Sequence, residues 1–256
     1  MPRYVVIAVL ALLVAGCGSG MKTAPDIAGY VETYLQAHPD VRRVAKQGIQ
    51  SATLVTRGQD QDVFADLGLR GRLIRIGGTA YMQMQDEVAP GKTWEKITGE
   101  HEPYNLLGIT VVTDQAMTLV NSHRVHALLA ARGRVGGQTS EGGLDRYTVA
   151  IDVRAALDAL DLAAFLEAYD PLPIMQDITE EYDKVRAGDR AAQARLRDRL
   201  LKEFGARATY DLWLDDQGRP VRLRLTAKAS TEIIFSDWDH TTVVAPPADL
   251  VRVPTS

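Results

Sequence analysis

The chain of 256 residues carries a net charge of −4 and a single cysteine. This mildly acidic balance argues against nucleic acid or an anionic membrane surface as a charge-driven partner. One cysteine cannot form an internal disulfide, so the stability of the fold has to come from packing.

Residues 1–17 have the pattern of an export signal. Arg3 precedes an apolar run that ends in Ala15 and Gly16, and Cys17 follows at once. The run is too short for a membrane-spanning helix, which needs about 20 residues. A charged start, a short apolar core and small residues before a cut are typical of a signal that is removed. The segment resembles a bacterial lipobox, which implies cleavage before Cys17 and acylation of that residue; an ordinary secretory signal is the alternative.

After the predicted signal, residues 1–16, we expect a tether and one domain. Residues 17–25 are mostly small and polar, as in a flexible tether. Residues 26–256 contain no repeat and no linker composition, which favours a single domain. Two or more acyl chains would hold the protein stably on the extracytoplasmic face of the cell membrane.

The domain begins with a predicted helix and continues as strands. Apolar residues at helical spacing predict a helix over residues 26–47, with Asp26 as its N-cap. The apolar period then changes to two, which predicts an antiparallel meander over residues 49–97. Within the meander, Gly77-Gly78 is a typical two-residue hairpin turn.

The middle of the chain is predicted to be mostly helical. Helices are expected over residues 123–131, 154–169 and 179–204. The last helix is heavily charged, and Gly188-Asp189 marks a candidate division within it. Residues 146–153 predict a strand. Residues 210–236 return to the two-residue period as three strands. Because strands lie at both ends with helices between them, we expect one sheet built from both ends of the chain.

Two short motifs match known loops only in part. Residues 91–93 match the end of a P-loop, but Asp86 stands where the first glycine belongs, and a strand is predicted next. A nucleophile elbow needs glycine two residues before its serine, but Gln138 stands there before Ser140. Residues 138–142 are therefore predicted to be a polar loop.

The histidines and carboxylates complete no site by their spacing. His123 and His126 lie three apart on a predicted helix, but two ligands do not make a metal site. We therefore expect surface or helix-edge histidines. Residues 237–240 hold two aspartates and His240, and adjacent side chains in a strand point to opposite faces. This run is predicted to be a polar turn after a strand.

The remaining signal is an apolar face. It includes Met82 and Met84, whose flexible side chains suit an adaptable surface. A curved sheet closed by helices either leaves a gap that admits acyl chains or is filled by its own side chains. Patterning cannot distinguish these two cases and by itself favours the filled core.

Six stretches carry a family resemblance: IRIGGTAY (74–81), KTWEKI (92–97), YTVAID (147–152), YDLWLDDQGRPV (210–221), IFSDW (234–238) and APP (245–247). With the lipobox and the helical insertion, this layout resembles the actinobacterial lipoprotein family of LppX, LprA, LprF and LprG, which is similar in fold to the carrier LolA. The resemblance implies an α+β fold, with a large curved antiparallel sheet (a half-barrel) and helices packed on its concave face. It also implies a hydrophobic cavity for lipid or glycolipid acyl chains. The chain departs from the family in the charged helix 179–204 and in Asp239, where glycine is common.

The sequence therefore predicts a membrane-anchored, non-enzymatic protein that binds and transfers or presents lipid. Cys17 is the predicted anchor, and Leu106, Leu107 and Ile109 are placed near the cavity mouth. The strand residues predicted to line the cavity are Ile74, Ile76, Met82, Met84, Val149, Ile151, Leu212, Leu214, Leu223 and Leu225.

The expected partners are lipid or glycolipid acyl chains, the membrane and a membrane transporter or envelope protein. We expect a monomer without nucleic acid, metal or cofactor. The alternative hypothesis is a surface lipoprotein with a filled core that binds a protein partner through residues 179–204. A hydrolase that uses Ser140 or His240 is the weakest hypothesis, because no nucleophile and base are evident together.

Overall fold

One sheet contains all the strands that the structure describes. The computed structural model describes residues 21–83, 91, 93–97, 113–169, 176–246 and 251–252. The strands are β1 (Arg42–Gln47), β2 (Gln50–Arg57), β3 (Asp60–Asp66), β4 (Arg70–Ile76), β5 (Thr79–Gln83), β6 (Trp94–Ile97), β7 (Arg134–Glu141), β8 (Leu144–Asp152), β9 (Arg207–Leu214), β10 (Pro220–Thr226), β11 (Ser230–Ser236) and β12 (Val251–Arg252). The helices are α1 (Ala24–Ala37), α2 (113–120), α3 (His123–Ala130), α4 (Val153–Asp158), α5 (Leu162–Tyr169), α6 (Gln176–Arg186) and α7 (Arg190–Phe204).

The sheet joins two meanders that are far apart in the sequence. The strand order is β12-β6-β5-β4-β3-β2-β1-β11-β10-β9-β8-β7. All neighbours are antiparallel except β12 and β6, which run parallel. β1 pairs with β11 and thereby merges the two meanders. One sheet built from both ends of the chain is what the sequence predicted, although residues 42–47 were predicted to be helical. Among the described strands β7 and β12 form the edges, so the sheet is open, and a sheet of this width is expected to curl. The predicted α+β class is confirmed.

β1 replaces the second half of the helix predicted over residues 26–47. α1 ends at Ala37, and its N-cap is Thr23 rather than Asp26. The Thr23 hydroxyl accepts a hydrogen bond from the Asp26 N–H, and the Asp26 carboxylate accepts one from the Thr23 N–H. β1 pairs with β2 on one side and with β11 on the other. Tertiary pairing of this kind overrides the helical pattern, because helix propensity is a weak preference.

The charged helix predicted over residues 179–204 is two helices. Gly188, at φ 83°, and Asp189 separate α6 from α7, as the sequence indicates. The Asp189 carboxylate caps α7 by accepting hydrogen bonds from two backbone N–H groups of its first turn. One edge of α7 is buried, at Ala192, Leu196, Leu200 and Phe204. The opposite side of α7 is solvated, as its charge pattern indicates.

The two faces of the sheet differ in what covers them. Residues directly opposite each other in an antiparallel pair lie on the same face, so the register assigns every residue to a face. We call the face that carries Val149 and Leu212 the inner face. α1, α3 and α4 contact β8, and α3 also contacts β9. Their buried side chains form one hydrophobic core with the inner face. The opposite, outer face carries Trp213 and Arg222.

α3 crosses the strands rather than following them. The Arg43 side chain of β1 donates a hydrogen bond to Asn121, just before α3, and Gly133, just after α3, lies against Val149 of β8. β1 and β8 are separated by β11, β10 and β9, so four strand spacings of about 4.8 Å place them about 19 Å apart. A helix covers about 18 Å between residues 121 and 133. The two lengths agree, so α3 spans the inner face from β1 to β8.

Gly133 is the point at which α3 meets the sheet most closely. A Cβ atom there would lie 2.5 Å from Val149 Cγ1 and 2.7 Å from the Ala150 carbonyl oxygen. We therefore expect Gly133→Ala to lower the free energy of unfolding by about 1–3 kcal/mol, measured by urea denaturation. Gly136→Ala is the matched control, because the nearest atoms to its added methyl, in Thr148, are 3.5 Å away. Equal losses in the two variants would contradict this account of the contact.

Candidate functional site

Buried apolar side chains cover the inner face continuously from β8 to β3. The register places these residues on one face across seven neighbouring strands. They are Val149, Ile151, Ala208, Tyr210, Leu212, Leu214, Leu223, Leu225, Ile233, Phe235, Ala45, Ala52, Leu54, Val63 and Ala65. Six of them were predicted from the sequence to share a face: Val149, Ile151, Leu212, Leu214, Leu223 and Leu225. Their shared face is confirmed, whereas their contact with a ligand stays a prediction.

Ile74 and Ile76 lie on the outer face, so the sequence-based expectation for them is wrong. The Gly77-Gly78 turn pairs Ile76 with Thr79, and this register places Ile74 opposite Tyr81. Met82 is paired with Leu73 and lies on the inner face, where it is buried. β4 carries apolar residues at both 73 and 74, so its pattern alone did not decide between the faces. The predicted positions Met84, Leu106, Leu107 and Ile109, like Cys17, lie outside the described residues.

A row of small residues crosses the inner face. Ala45 of β1 lies opposite Ala52 of β2, Ala52 lies opposite Ala65 of β3, and Ala65 lies opposite Gly71 of β4. The three alanines are fully buried. Large side chains flank this row on the same face, among them Leu54, so the row forms the lowest part of the surface. We call it the alanine row.

A polar cluster lies where α1 meets α3. The imidazole of His123 donates from Nε2 to the Glu32 Oε2 at 3.1 Å, and Arg124 donates from Nε and Nη2 to the two Glu32 oxygens, each at 3.2 Å. The hydrogen bond from His123, with added attraction to Arg124, lowers the pKa of Glu32 to about 2 against the opposing effect of burial. Glu32 is therefore a carboxylate at any ordinary pH and ties α1 to α3.

His123 and His126 are buried, which corrects the prediction of surface or helix-edge histidines. They are 1% and 4% exposed. Burial lowers the pKa of both, that of His126 to about 3, so both imidazoles are neutral at pH 7. The sequence contains a signal for this, because His126 lies three residues after His123 and Ala130 follows at the seventh position of the same helical stripe. Ala130 is fully buried.

Arg43 is a second charged group between the helices and the sheet. It lies on the inner face of β1, opposite Leu54 and Phe235. Its Nη1 donates to Asn121 Oδ1 at 2.8 Å. Burial lowers the pKa of Arg43 to about 10; repulsion from Arg124 acts in the same direction and attraction to Glu32 opposes it. The guanidinium is still charged at pH 7. The sequence analysis missed Arg43 because β1 was predicted to be helical.

Three polar atoms of this interior have no hydrogen-bond partner among the residues that the structure describes. They are Arg43 Nε, His126 Nδ1 and Tyr210 Oη. The last two side chains are almost wholly buried, and burial raises the pKa of Tyr210. An unpaired buried polar atom costs about 1–3 kcal/mol, so three of them in one layer are unusual.

The outer face carries a cluster of stacked arginines with its own counter-charges. Three guanidinium groups lie over the Trp213 ring, those of Arg222, Arg146 and Arg224, at 3.9, 5.0 and 5.1 Å from its centre. The buried Asp211 accepts from Arg146 Nε at 3.1 Å, and Trp213 Nε1 donates to another carboxylate at 3.1 Å. Trp213 is completely buried, and these guanidinium groups cover its ring.

The two motifs that resemble parts of a catalytic site, around Ser140 and at residues 237–240, do not come together with each other in the structure. Ser140 is exposed on β7, so the loop predicted over residues 138–142 is wrong; pairing with β8 extends the strand through it. Asp237 and Asp239 have φ angles of 56° and 59°, which confirms the predicted turn. The Asp239 carboxylate contacts His38 Nδ1 at 2.9 Å rather than His240.

Residues 94–97 form β6, whereas a P-loop would continue as a helix. In the described ranges no three His, Cys, Asp or Glu side chains come together as a metal site. Within the same ranges, no helix is both long enough and apolar enough to cross a bilayer.

Comparisons with known proteins show a distant likeness in fold. No protein-family model matches the chain, and no curated protein matches it by sequence. In fold, the chain is similar to the crystal structure of the Mycobacterium tuberculosis lipoprotein LppX, with a TM-score of 0.40 and 11% identity. The alignment covers 86% of this chain and 98% of that one. At this low identity and TM-score the likeness describes the path of the backbone only, and nothing about a ligand follows from it.

The buried His126 makes the fold sensitive to acid. In the unfolded chain His126 takes up a proton near pH 6.5, whereas in the folded chain it does so only at about pH 3. The free energy of unfolding therefore falls as the pH is lowered, and His126 contributes a fall of about 1.5 kcal/mol between about pH 6.5 and pH 5. Glu32 acts only below this interval, where protonation of the unfolded carboxylate begins.

We expect His126→Leu to remove that part of the pH dependence, measured by urea denaturation at both ends of the interval. Leu128→Ala on the same helix is the control, because it removes packing without removing a titrating group and should lower stability equally at both pH values. An unchanged pH dependence in His126→Leu would mean that the folded protein accepts the proton.

Proposed function

We propose that this protein binds the acyl chains of a lipid between the inner face of its sheet and the helices that cross it. The observation that carries the proposal is the continuous apolar inner face, which extends over seven strands of an open sheet. A sheet that is closed on one side by short helices offers an elongated apolar space, and acyl chains need such a space without specific polar contacts. The alanine row is the part of that face with the smallest side chains.

The proposal includes the anchoring predicted from the sequence. Cleavage before Cys17 and acylation of that residue would hold the domain at the extracytoplasmic face of the membrane, within reach of lipids. Met82, Val149, Ile151, Leu212, Leu214, Leu223 and Leu225 would then contact the acyl chains from the sheet. Met84, Leu106, Leu107 and Ile109 belong to the proposal on sequence grounds alone. Transfer or presentation of the lipid, rather than its chemical conversion, is the proposed activity.

A protein-interaction module with a filled core is the second candidate, and the α6–α7 pair favours it. Glu181 of α6 forms ion pairs with Arg195 and Arg199 of α7, so the two charged helices form a braced hairpin. The solvated side of this hairpin offers a charged surface to a partner. The two candidates differ in what fills the space above the alanine row.

Bound lipid is best sought in the full chain with Cys17→Ser, which cannot be acylated. Native mass spectrometry should detect co-purified lipid, and a fluorescent fatty acid should bind to protein from which that lipid has been extracted. Absence of both signals would reject the proposed function.

The alanine row allows the two candidates to be separated with one substitution. We expect Ala52→Leu to reduce the co-purified lipid severalfold with little loss of stability, because the new side chain takes space that acyl chains occupy. Thr53→Leu adds similar bulk on the outer face of the same strand and should leave the lipid content unchanged. If Ala52→Leu instead costs about 1–3 kcal/mol of unfolding free energy in lipid-free protein, the space is filled and the interaction module is favoured.

A further inference from the structure

Within the part of the chain that the structure describes, Arg43 differs from the other buried or half-buried arginines in having no counter-ion. Arg72 is bound by both oxygens of Asp62, at 2.8 and 2.6 Å, and Arg146 is bound by Asp211. In the described part of the chain no carboxylate lies within ion-pair distance of Arg43, whose one hydrogen bond goes to the neutral Asn121 side chain. A buried guanidinium normally has a carboxylate or phosphate partner, because leaving the charge unpaired is costly.

Glu32 does not supply that partner. Its Oε2 accepts hydrogen bonds from His123 and Arg124, and its Oε1 accepts another from Arg124. Arg124 also repels Arg43 more strongly than Glu32 attracts it. Since both buried histidines are neutral, the group formed by Arg43, Arg124 and Glu32 carries one excess positive charge at pH 7.

The polar cluster extends from the surface into the interior. The side chains of Arg124 and Glu32 are 51% and 34% exposed, whereas that of His123 is 2% exposed. Arg43 is half-buried and bonded to Asn121, two residues before His123, and its neighbour on the same face of β1 is Ala45, the first member of the alanine row. A ligand that approaches along the polar cluster would therefore meet a cation first and an apolar surface next.

Two further atoms of this interior could take polar groups of such a ligand. His126 Nδ1 and Tyr210 Oη have no hydrogen-bond partner among the described residues, and both side chains are more than nine-tenths buried. A filled apolar core would leave both atoms unsatisfied, whereas a ligand with ester or hydroxyl oxygens would pair them.

We propose that Arg43 binds the oxyanion of a lipid head group, a carboxylate or a phosphate, while the acyl chain of the same molecule lies along the alanine row. This inference rests on the proposed function and specifies its ligand as an anionic amphiphile. The planar guanidinium donates from Nε and from its remaining terminal N–H groups to two oxygens of the anion, which is the geometry that carboxylates and phosphates favour. Asn121 fixes the rotamer of Arg43 through the bond to Nη1.

The test compares an acid with its neutral ester on the same chain. The full chain with Cys17→Ser, freed of co-purified lipid, is titrated with cis-parinaric acid and with its methyl ester, both followed by their fluorescence. We expect the acid to bind about tenfold more tightly than the ester. Arg43→Gln should abolish this preference and leave the affinity for the ester unchanged. Arg42→Gln, on the exposed outer side of the same strand, should keep the preference.

The outcomes separate this inference from the function on which it rests. Equal binding of acid and ester by the unsubstituted site, or a preference that survives Arg43→Gln, would overturn the inference but leave acyl-chain binding in place. Failure of both probes to bind would reject the proposed function itself. Displacement of the acid by millimolar acetate or inorganic phosphate as readily as by a fatty acid would show a site for free anions and overturn the head-group assignment.

Arg43→Lys is a second variant, for the case in which Arg43→Gln does not fold. Lysine keeps the positive charge but loses the planar fork, so we expect a reduced preference for the acid at unchanged affinity for the ester. A folded Arg43→Lys variant with the full preference would contradict the bidentate contact.

Discussion

The pairing of β1 with β11 is the contact on which the rest of the structure depends. It joins residues 42–47 to residues 231–236, so nearly the whole domain lies between the two paired strands. Because of this pairing, Ala45 faces Ala52 on one side and Ile233 on the other, and the apolar surfaces of two meanders become one inner face. Without it each meander would have its own edge at this point, and α3 would have no surface to cross between β1 and β8. Closing so long a loop is entropically costly, which two full ladders of hydrogen bonds and a continuous core offset.

The two faces of the sheet are stabilised by different means, and their arginines have different partners. On the outer face each of the three arginines around Trp213 lies within ion-pair distance of Asp211 or Glu141, and the stacked guanidinium groups cover the tryptophan ring. On the inner face Arg43 has an amide and no carboxylate within reach among the described residues. The same residue type therefore has a structural explanation on one face and none on the other. A cation that the protein does not neutralise is the kind of group that a ligand neutralises.

Much of the architecture follows from the sequence, because strands and turns leave local signals. The second meander, the Gly77-Gly78 hairpin and the division of the charged helices at Gly188 are all legible in the residue pattern. What the sequence could not decide depends on partners distant in the chain. β1 is a strand because of β2 and β11, and Ile74 lies on the outer face because adjacent apolar residues in β4 satisfy either register. His123 was placed at a surface because its partner, Glu32, is 91 residues away. The polar cluster has no local motif, since Glu32 is supplied by α1 and its partners His123 and Arg124 by α3.

The attachments of α3 are of two kinds, and this indicates which end of the helix can admit a ligand. At its C-terminal end the backbone of Gly133 lies directly against Val149 and Ala150, a close apolar contact that leaves no space for another group. At its N-terminal end the attachments are polar: Asn121 contacts Arg43, and His123 and Arg124 contact Glu32. Polar contacts near the surface can be exchanged for contacts to a ligand or to water at small net cost, because each lost hydrogen bond is replaced by another. Close packing cannot be exchanged in this way, since separating it exposes apolar surface without compensation. A ligand of the kind proposed would therefore need the least rearrangement at the N-terminal end of α3, where Arg43 has no carboxylate partner among the described residues.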